Sequence, residues 1–302
     1  MNELYEELKR YSEVDVDVPL SKMTTLRIGG KAKYTVYPEN QVALDSIIRV
    51  LKKRGVTYKL IGKGSDLLCS DEDFDGVIIR LDRHCHNSYF DENRLTVQAG
   101  CSIIMLAVEA MKKGLSGLEF ASGIPGTVGG AIFMNAGAYK SSMSDILDEV
   151  LVLRDNTSEW IKAEDCEFSY RSSIFQKHPD WIILGARMTL TPKDSKEISD
   201  LMEDRRKRRM ASQPLEYPTC GSVFRNPEGM NAWQLIDGID YRGKRIGDAM
   251  VSDKHCNFIC NMGNAKAEDY LTLVKEIQEA VYEKYGVMLH TEMEMFNWRE
   301  TE

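Results

Sequence analysis

The stretch Phe120–Tyr139, FASGIPGTVGGAIFMNAGAY, runs for twenty residues without a charge and holds five glycines and one proline. It is too interrupted for a helix and too apolar for a linker, so we read it as the loop about which the chain is organised. Glycine has no Cβ and reaches positive φ without a clash, so Gly123, Gly126, Gly129, Gly130 and Gly137 can present backbone N–H groups to a ligand that comes close. A diphosphate suits such donors. A buried packing loop, in which glycines let two elements meet, is the other reading the stretch by itself allows. A membrane span does not fit, because no apolar run reaches the ~20 residues that crossing a bilayer requires.

At 302 residues the chain is long enough to bury a sizeable core and to divide into two or three domains. Its net charge of −8 argues against nonspecific nucleic-acid binding, so an anionic ligand must be met by locally placed Arg and Lys. The first ten residues, MNELYEELKR, have no apolar core, and no signal peptide is expected. Cysteines are odd in number, seven, and scattered, which fits reduced thiols in a cytoplasm; the spacing of Cys256 and Cys260 is wrong for a zinc knuckle, and no metal is expected.

Asn40 is placed to cap a helix whose apolar positions Leu44, Ile47, Ile48 and Leu51 follow the i, i+3, i+4, i+7 pattern and which stops at Gly55. An extended run, Tyr58 to Ile61, leads into Gly62-Lys63-Gly64-Ser65-Asp66-Leu67-Leu68. A strand followed by a glycine turn and a small hydroxyl suits phosphate, since the turn aims successive N–H groups at one point, although such turns also occur with no ligand. Val77 to Leu81 and Leu95 to Ala99 read as strands flanking a polar hairpin with His84, Cys85 and His86, and Ser102 as the cap of a helix ending at Lys113.

Within Phe168 to Phe175, Arg171 stands among hydroxyls and aromatics. Its planar fork suits a carboxylate, with Tyr170 alongside, and a structural ion pair suits it equally. Residues 195–210 form a charged helix whose basic run, Arg205 to Arg209, follows Glu203 and Asp204, the pattern of a solvated face. Composition shifts at Gln213-Pro214 and Tyr217-Pro218, read as a domain boundary. Beyond it Gly221 turns the chain and exposes Ser222 beside Arg225 and Asn226. No nucleophile elbow is present, which leaves this hydroxyl available as a proton donor. Asn264 is placed to cap a last helix with Tyr270, Leu273, Val274, Ile277 and Val281 on one face and Gly286 as its stop. The final strand alternates His290, Glu292 and Glu294 with Met293 and Met295, which puts both carboxylates on one face, wet or catalytic.

Seven segments, TTLRIGGKA (24–32), GKGSDLL (62–68), SGIPGTVGGAIFMNAGAY (122–139), YRSSIF (170–175), YPTCGSVFRNP (217–227), IGDAMVSDKHCNFICN (246–261) and GNAKAEDYLTLV (263–274), taken together and in this order, resemble the UDP-N-acetylenolpyruvoylglucosamine reductases. The resemblance covers nearly the whole chain. It implies an α+β flavoprotein whose FAD-binding region is of the vanillyl-alcohol-oxidase type in two subdomains, residues 1–80 and 81–195, with a C-terminal α+β substrate-binding domain, 196–302. It also implies NADPH as co-substrate, a nucleotide-sugar substrate, a cytoplasmic place in peptidoglycan synthesis and a monomer, without nucleic-acid partners or membrane insertion.

By this resemblance FAD is held by Gly62, Lys63, Gly64, Ser65, Asp66 and Leu67, by Gly123, Ile124, Pro125, Gly126, Thr127, Gly129 and Gly130, and by Asn135, Ala136 and Gly137. Ser222 matches the proton donor, and Arg171 and Glu292 match the residues that meet the substrate carboxylate. Tyr170, Arg225, Asn226, Arg242, Lys254 and His255 match substrate-binding positions. The chain resembles the shorter type of the family, lacking an insertion after Arg171. It departs from the pattern at Asp66, where asparagine is usual, and at Met293–Trp298, which lacks an arginine near Glu292. A flavin oxidase or dehydrogenase of another small substrate is the alternative reading.

Overall fold

A computed structural model describes residues 3–155 and 157–298, and their buried apolar side chains collect in two separate clusters, one for each of two units. The first unit comprises the described residues through Val16 with Tyr34–Lys63 and Gly76–Lys207. One of its sheets has the order Ser12–Pro19, Lys31–Pro38, Phe74–Ile79, Tyr58–Leu60, the last pair parallel with Tyr58 opposite Val77. The helix Gln41–Arg54 forms as its sequence predicts. Asn40 Oδ1 accepts from Ala43 N at 3.0 Å, the four periodic apolar residues are buried, and Gly55 closes the helix at φ 62°.

The second sheet is antiparallel, in the order Thr157–Lys162, Leu147–Arg154, Ile182–Thr189, Arg94–Gln98, Ser88–Asp91. The strands expected near Val77 and Leu95 form as Phe74–Ile79 and Arg94–Gln98, but in different sheets, so they do not flank one hairpin. Arg94–Gln98 pairs instead with Ser88–Asp91, a strand hidden by its polarity, and the segment His84–His86 precedes that strand with Cys85 buried. Ser102 occupies the cap position of the helix Ile103–Lys112 without a side-chain bond; the Ile103 N–H donates to Gly126 O at 3.1 Å and ties the helix start to the glycine loop. The charged helix Ser195–Ser212 buries only Ile198, and Arg206 and Lys207 pair with Glu203 at 2.7 and 3.8 Å, as a solvated face does.

The second unit joins Asp17–Lys33 and Gly64–Asp75 to the described residues from Arg208 onward, with Leu26, Ile28 and Leu68 in one core with Phe224 and Tyr270. Asn261, 3% exposed, makes the joint: its Nδ2 donates to Leu26 O (3.1 Å) and Arg27 O (3.4 Å), and its Oδ1 accepts from Gly263 N (2.9 Å) and Ala265 N (3.0 Å). The last helix is Ala267–Tyr285, closed by Gly286 at φ 67° with its expected face buried, but Asn264 does not cap it. Its first N–H, of Ala267, reaches Asp71 Oδ2 at 2.9 Å, so the cap comes from a distant segment. The final strand, Glu294–Phe296, pairs parallel with Leu67–Cys69. Met293 is 3% and Met295 38% exposed, against the expected alternation, because Phe296 takes the inward place against Phe74 at a 4.9 Å ring separation.

Removing the Asn261 side chain strands buried backbone groups, each at a cost of about 1–3 kcal/mol. Asn261→Ala is therefore expected to lower stability by about 3 kcal/mol or more, and Asn261→Asp, which keeps both acceptor bonds but buries a charge facing two carbonyl oxygens, by no less; urea denaturation followed by tyrosine and tryptophan fluorescence measures both.

Candidate active site

In the first unit the glycine loop is more structured than its composition predicts. It contains a short helix, Val128–Phe133, whose cap Thr127 accepts from Gly130 N at 3.3 Å. Packing outweighs the poor helix propensity of two glycines here, because Gly129 lies against Ala99 and donates its N–H to Ala99 O at 2.8 Å. The expected row of bare amides is only partly present, since Gly126 N also has an internal partner, Ile124 O at 2.8 Å. What the glycines leave open is surface: a Cβ on Gly126 or Gly130 would meet nothing closer than 4.0 and 3.4 Å. No residue from Gly123 to Gly137 is charged, so this surface fits close approach by diphosphate oxygens without like-charge repulsion.

Gly62 belongs to the same place. A Cβ there would press into the Thr127 hydroxyl and displace the cap of the short helix. Lys63 beside it pairs with Asp82 at 2.8 Å, and Arg80 holds the same carboxylate at 2.7 Å. Burial works against the Asp82 charge, and the hydrogen bonds from Arg80 and Lys63 overcome it, holding the carboxyl below its ordinary range.

Tyr170 and Arg171 form the tip of a tight turn closed by reciprocal Ser169 and Ser172 backbone bonds at 3.1 Å. The turn is tied to the end of the glycine loop: Asn135, 4% exposed, donates from Nδ2 to Ser169 O at 2.9 Å and accepts at Oδ1 from Ser144 N at 3.1 Å. Arg171 donates from Nη2 to Gly137 O at 2.9 Å, and its guanidinium carbon lies 5.1 Å from the Tyr170 ring centre. Its φ of 54° is left-handed. Asn135 is thus a structural clamp, a role its place among expected cofactor contacts did not show.

In the second unit Gly221, at φ 85°, turns the chain into half-buried Ser222, followed by buried Val223 and Phe224. A ladder of backbone bonds connects the predicted residues. Glu292 N donates to Val223 O at 2.8 Å, Arg225 N to His290 O at 2.9 Å, and Glu294 N to Asp66 O at 2.9 Å. Ser222, Glu292 and the Gly64-Ser65-Asp66-Leu67 segment are therefore held on neighbouring backbone. Burial pushes the Cys220 thiol up to about 12, with the Asp66 charge adding to the shift, so this neighbour of Ser222 stays protonated.

Arg225 buries its Nε without a hydrogen-bond partner among the described residues. Asn226 Oδ1 accepts from Ala232 N at 3.0 Å, fixing the helix Ala232–Asp237 that carries Trp233. The His255 ring lies 6.5 Å from that of Trp233 and 4.9 Å from that of Phe258; burial first, then the Arg242 charge, lowers its pKa, so the imidazole is neutral at pH 7. Arg242 pairs with Asp237 at 2.5 Å and donates to Asp253 O at 2.7 Å, and Lys254 lies 3.7 Å from Glu216. Sequence reasoning passed over Asn257, a buried carboxamide bonded to Phe224; the available signal was a pair of asparagines, Asn257 and Asn261, inside the otherwise apolar run CNFICN. Among the described residues no group of three or more His, Cys, Asp or Glu side chains is placed to hold a metal, and no helix is long and apolar enough to cross a membrane.

Residues 32–163 match the family described as FAD binding domain, and residues 213–296 match the UDP-N-acetylenolpyruvoylglucosamine reductase C-terminal domain. The protein is thus a flavoprotein of the oxidoreductase class, α+β in fold. It is 42% identical over 298 residues to UDP-N-acetylenolpyruvoylglucosamine reductase of Bacillus licheniformis and 41% identical over 298 residues to that of Bacillus subtilis, each match covering 98% of both chains. The crystal structure of the Thermus caldophilus reductase overlays it with a TM-score of 0.80 at 34% identity, covering 94% of this chain and 98% of that one. The chain belongs to the UDP-N-acetylenolpyruvoylglucosamine reductase family. A Physcomitrella patens BBE-like 1 structure, at 13% identity, 63% coverage of this chain, 44% of that one and a TM-score of 0.51, shares the fold alone.

The two glycines make opposite predictions for flavin retention. Gly62→Ala is expected to weaken FAD binding about tenfold or more, while Gly126→Ala, whose added methyl has room, is expected to change it by less than about threefold. Fluorescence titration of the stripped proteins with FAD measures both, and the reverse ranking would refute the assignment of Gly62 to the cradle.

Proposed function

We propose that the protein reduces UDP-N-acetyl-3-O-(1-carboxyvinyl)-glucosamine to UDP-N-acetylmuramate, with NADPH as reductant, in the synthesis of peptidoglycan precursors. The observation that carries this reading is membership of the reductase family over 98% of the chain, supported by the bond from Glu292 N to the O of Val223, the residue after Ser222. FAD, when bound, would supply the redox chemistry of the reaction, hydride transfer between NADPH and the enolpyruvyl double bond. Gly62 to Leu67 and Gly123 to Gly137 are the segments proposed to hold it, with residues 1–80 and 81–195 as flavin subdomains and 196–302 as the substrate domain.

An enol ether is electron-rich and resists hydride unless its conjugated carboxylate is polarised. Arg171 and Glu292 are assigned to that carboxylate, with Tyr170 beside Arg171. A guanidinium aimed at charge that develops in the transition state contributes on the order of 3 kcal/mol, the scale of one oxyanion-hole donor. Ser222 is assigned to protonate C2, and the resulting alkoxide regains its proton from solvent. Serine is a weak acid, and it serves here because the carbon it faces becomes a stronger base. Arg225, Asn226, Arg242 and Lys254 are assigned to the diphosphate and its sugar, and His255, uncharged, to the uracil. All seven cysteines are buried, and their odd number and scatter along the chain support a reducing, cytoplasmic setting. We take the working form to be a monomer, which sedimentation velocity tests: a dominant dimer would overturn it.

Purified protein is expected to be yellow. In Ser222→Ala, NADPH should bleach the flavin at the wild-type rate, and reoxidation by the enolpyruvyl sugar should slow by ~10²–10⁴. Anaerobic stopped-flow absorbance at the flavin band reads the two half-reactions separately, and equal slowing of both would make Ser222 structural.

A further inference from the structure

Ser222 to Arg225 is irregular backbone, and irregular backbone in a protein interior must find partners for its N–H and C=O groups outside the regular ladders. One edge is met by the segment 290–292, through Glu292 N to Val223 O, Arg225 N to His290 O, and an antiparallel bridge between Phe224 and Thr291. The other edge is met by one residue. Val223 N donates to Asn257 O at 2.9 Å, Phe224 N donates to Asn257 Oδ1 at 3.0 Å, and Asn257 Nδ2 donates back to Phe224 O at 2.9 Å.

Asn257 is 4% exposed, and its carboxamide faces the Phe224 peptide as a strand partner would. Gly221, on the other side of Ser222, has no atom beyond its chain neighbours within 4 Å of where its Cβ would be, so the turn is open there. The loop that carries Asn257 also carries Lys254 and His255, whose N–H groups both donate to Ser252 Oγ, at 3.1 and 3.3 Å. One carboxamide thus joins the backbone that presents the Ser222 hydroxyl to the backbone that presents two of the proposed nucleotide-sugar residues.

We propose that Asn257 is the positioning residue for Ser222, setting the hydroxyl relative to the bound sugar without touching substrate or flavin. The inference rests on the reading of Ser222 as the proton donor. A displacement of about 1 Å at a reacting group costs on the order of 10²-fold in rate, so loss of the clamp acts on the proton-transfer step even where the fold survives.

The test uses the FAD-loaded enzyme and follows flavin absorbance anaerobically, first with NADPH and then with the enolpyruvyl sugar, for Asn257→Leu, Asn257→Asp, Ser222→Ala and the double variant Ser222→Ala/Asn257→Leu. Reduction by NADPH is expected to stay within about twofold of wild type in all four, since no clamp residue enters that half-reaction. Reoxidation should slow about tenfold or more in Asn257→Leu. It should also slow in Asn257→Asp, which keeps an acceptor for Phe224 N–H but turns a carboxylate oxygen toward Phe224 O, and this variant carries the test if the leucine variant does not fold. The double variant should reoxidise no more slowly than Ser222→Ala alone, because the clamp works only through the hydroxyl. Wild-type reoxidation in both Asn257 variants would overturn the proposal while leaving Ser222 as donor. So would a double variant slowed by the product of the two single effects. Unchanged reoxidation in Ser222→Ala would instead remove the proton-donor reading, and the positioning role with it.

Discussion

Loops with no regular ladder depend in this protein on buried asparagine carboxamides. A carboxamide offers a donor and an acceptor side by side, as a peptide group does, and it cannot ionise, so it can be buried without the desolvation penalty of a charge. Asn135 takes this part for the turn that carries Arg171, Asn257 for the loop that carries Ser222, and Asn261 for the segment Leu26–Arg27; their exposures are 4, 4 and 3%. Glycine-rich and turn-forming sequence has little intrinsic preference for one conformation. These side chains supply the missing constraint, and the proposed site residues Arg171 and Ser222 lie on the backbone it fixes.

A second theme is how an acidic protein prepares for anionic ligands. The glycine surface does so without charge. Three of the cations proposed for ligand contact are paired with carboxylates: Lys63 with Asp82, Arg242 with Asp237, and Lys254 near Glu216. Ordering a long basic side chain costs conformational entropy, and here much of that cost falls on folding and not on ligand binding. The same pairing keeps the local field modest, which is compatible with a net charge of −8.

Local signals were legible where they acted locally. The helix Gln41–Arg54 is specified by its cap, its period and its closing glycine, and the structure follows all three. The helix inside the glycine loop was not legible in its sequence, because Val128–Phe133 exists through contact with Ala99, which no window around Gly129 contains. Asn264 was in the right place for a cap and lost to Asp71, nearly two hundred residues away. Tertiary partners of this kind also explain why Asp17–Lys33 and Gly64–Asp75, which read as parts of an N-terminal domain, pack with the C-terminal residues in the second unit. Among the proposed site residues, Ser222 and Glu292 were placed by motif, while Asn257 was passed over because an asparagine in an apolar run reads as an interruption.

Arg171 stands at φ 54°, a region where a residue other than glycine or asparagine pays on the order of 1 kcal/mol or more. The reciprocal Ser169–Ser172 bonds and the bond to Gly137 O hold it there. On the proposed role of Arg171, heat resistance and turnover therefore pull in opposite directions at this position. Glycine at this position would relieve the backbone and discard the guanidinium together with its bond to Gly137 O, so the proposed carboxylate contact would be kept at the expense of local backbone strain.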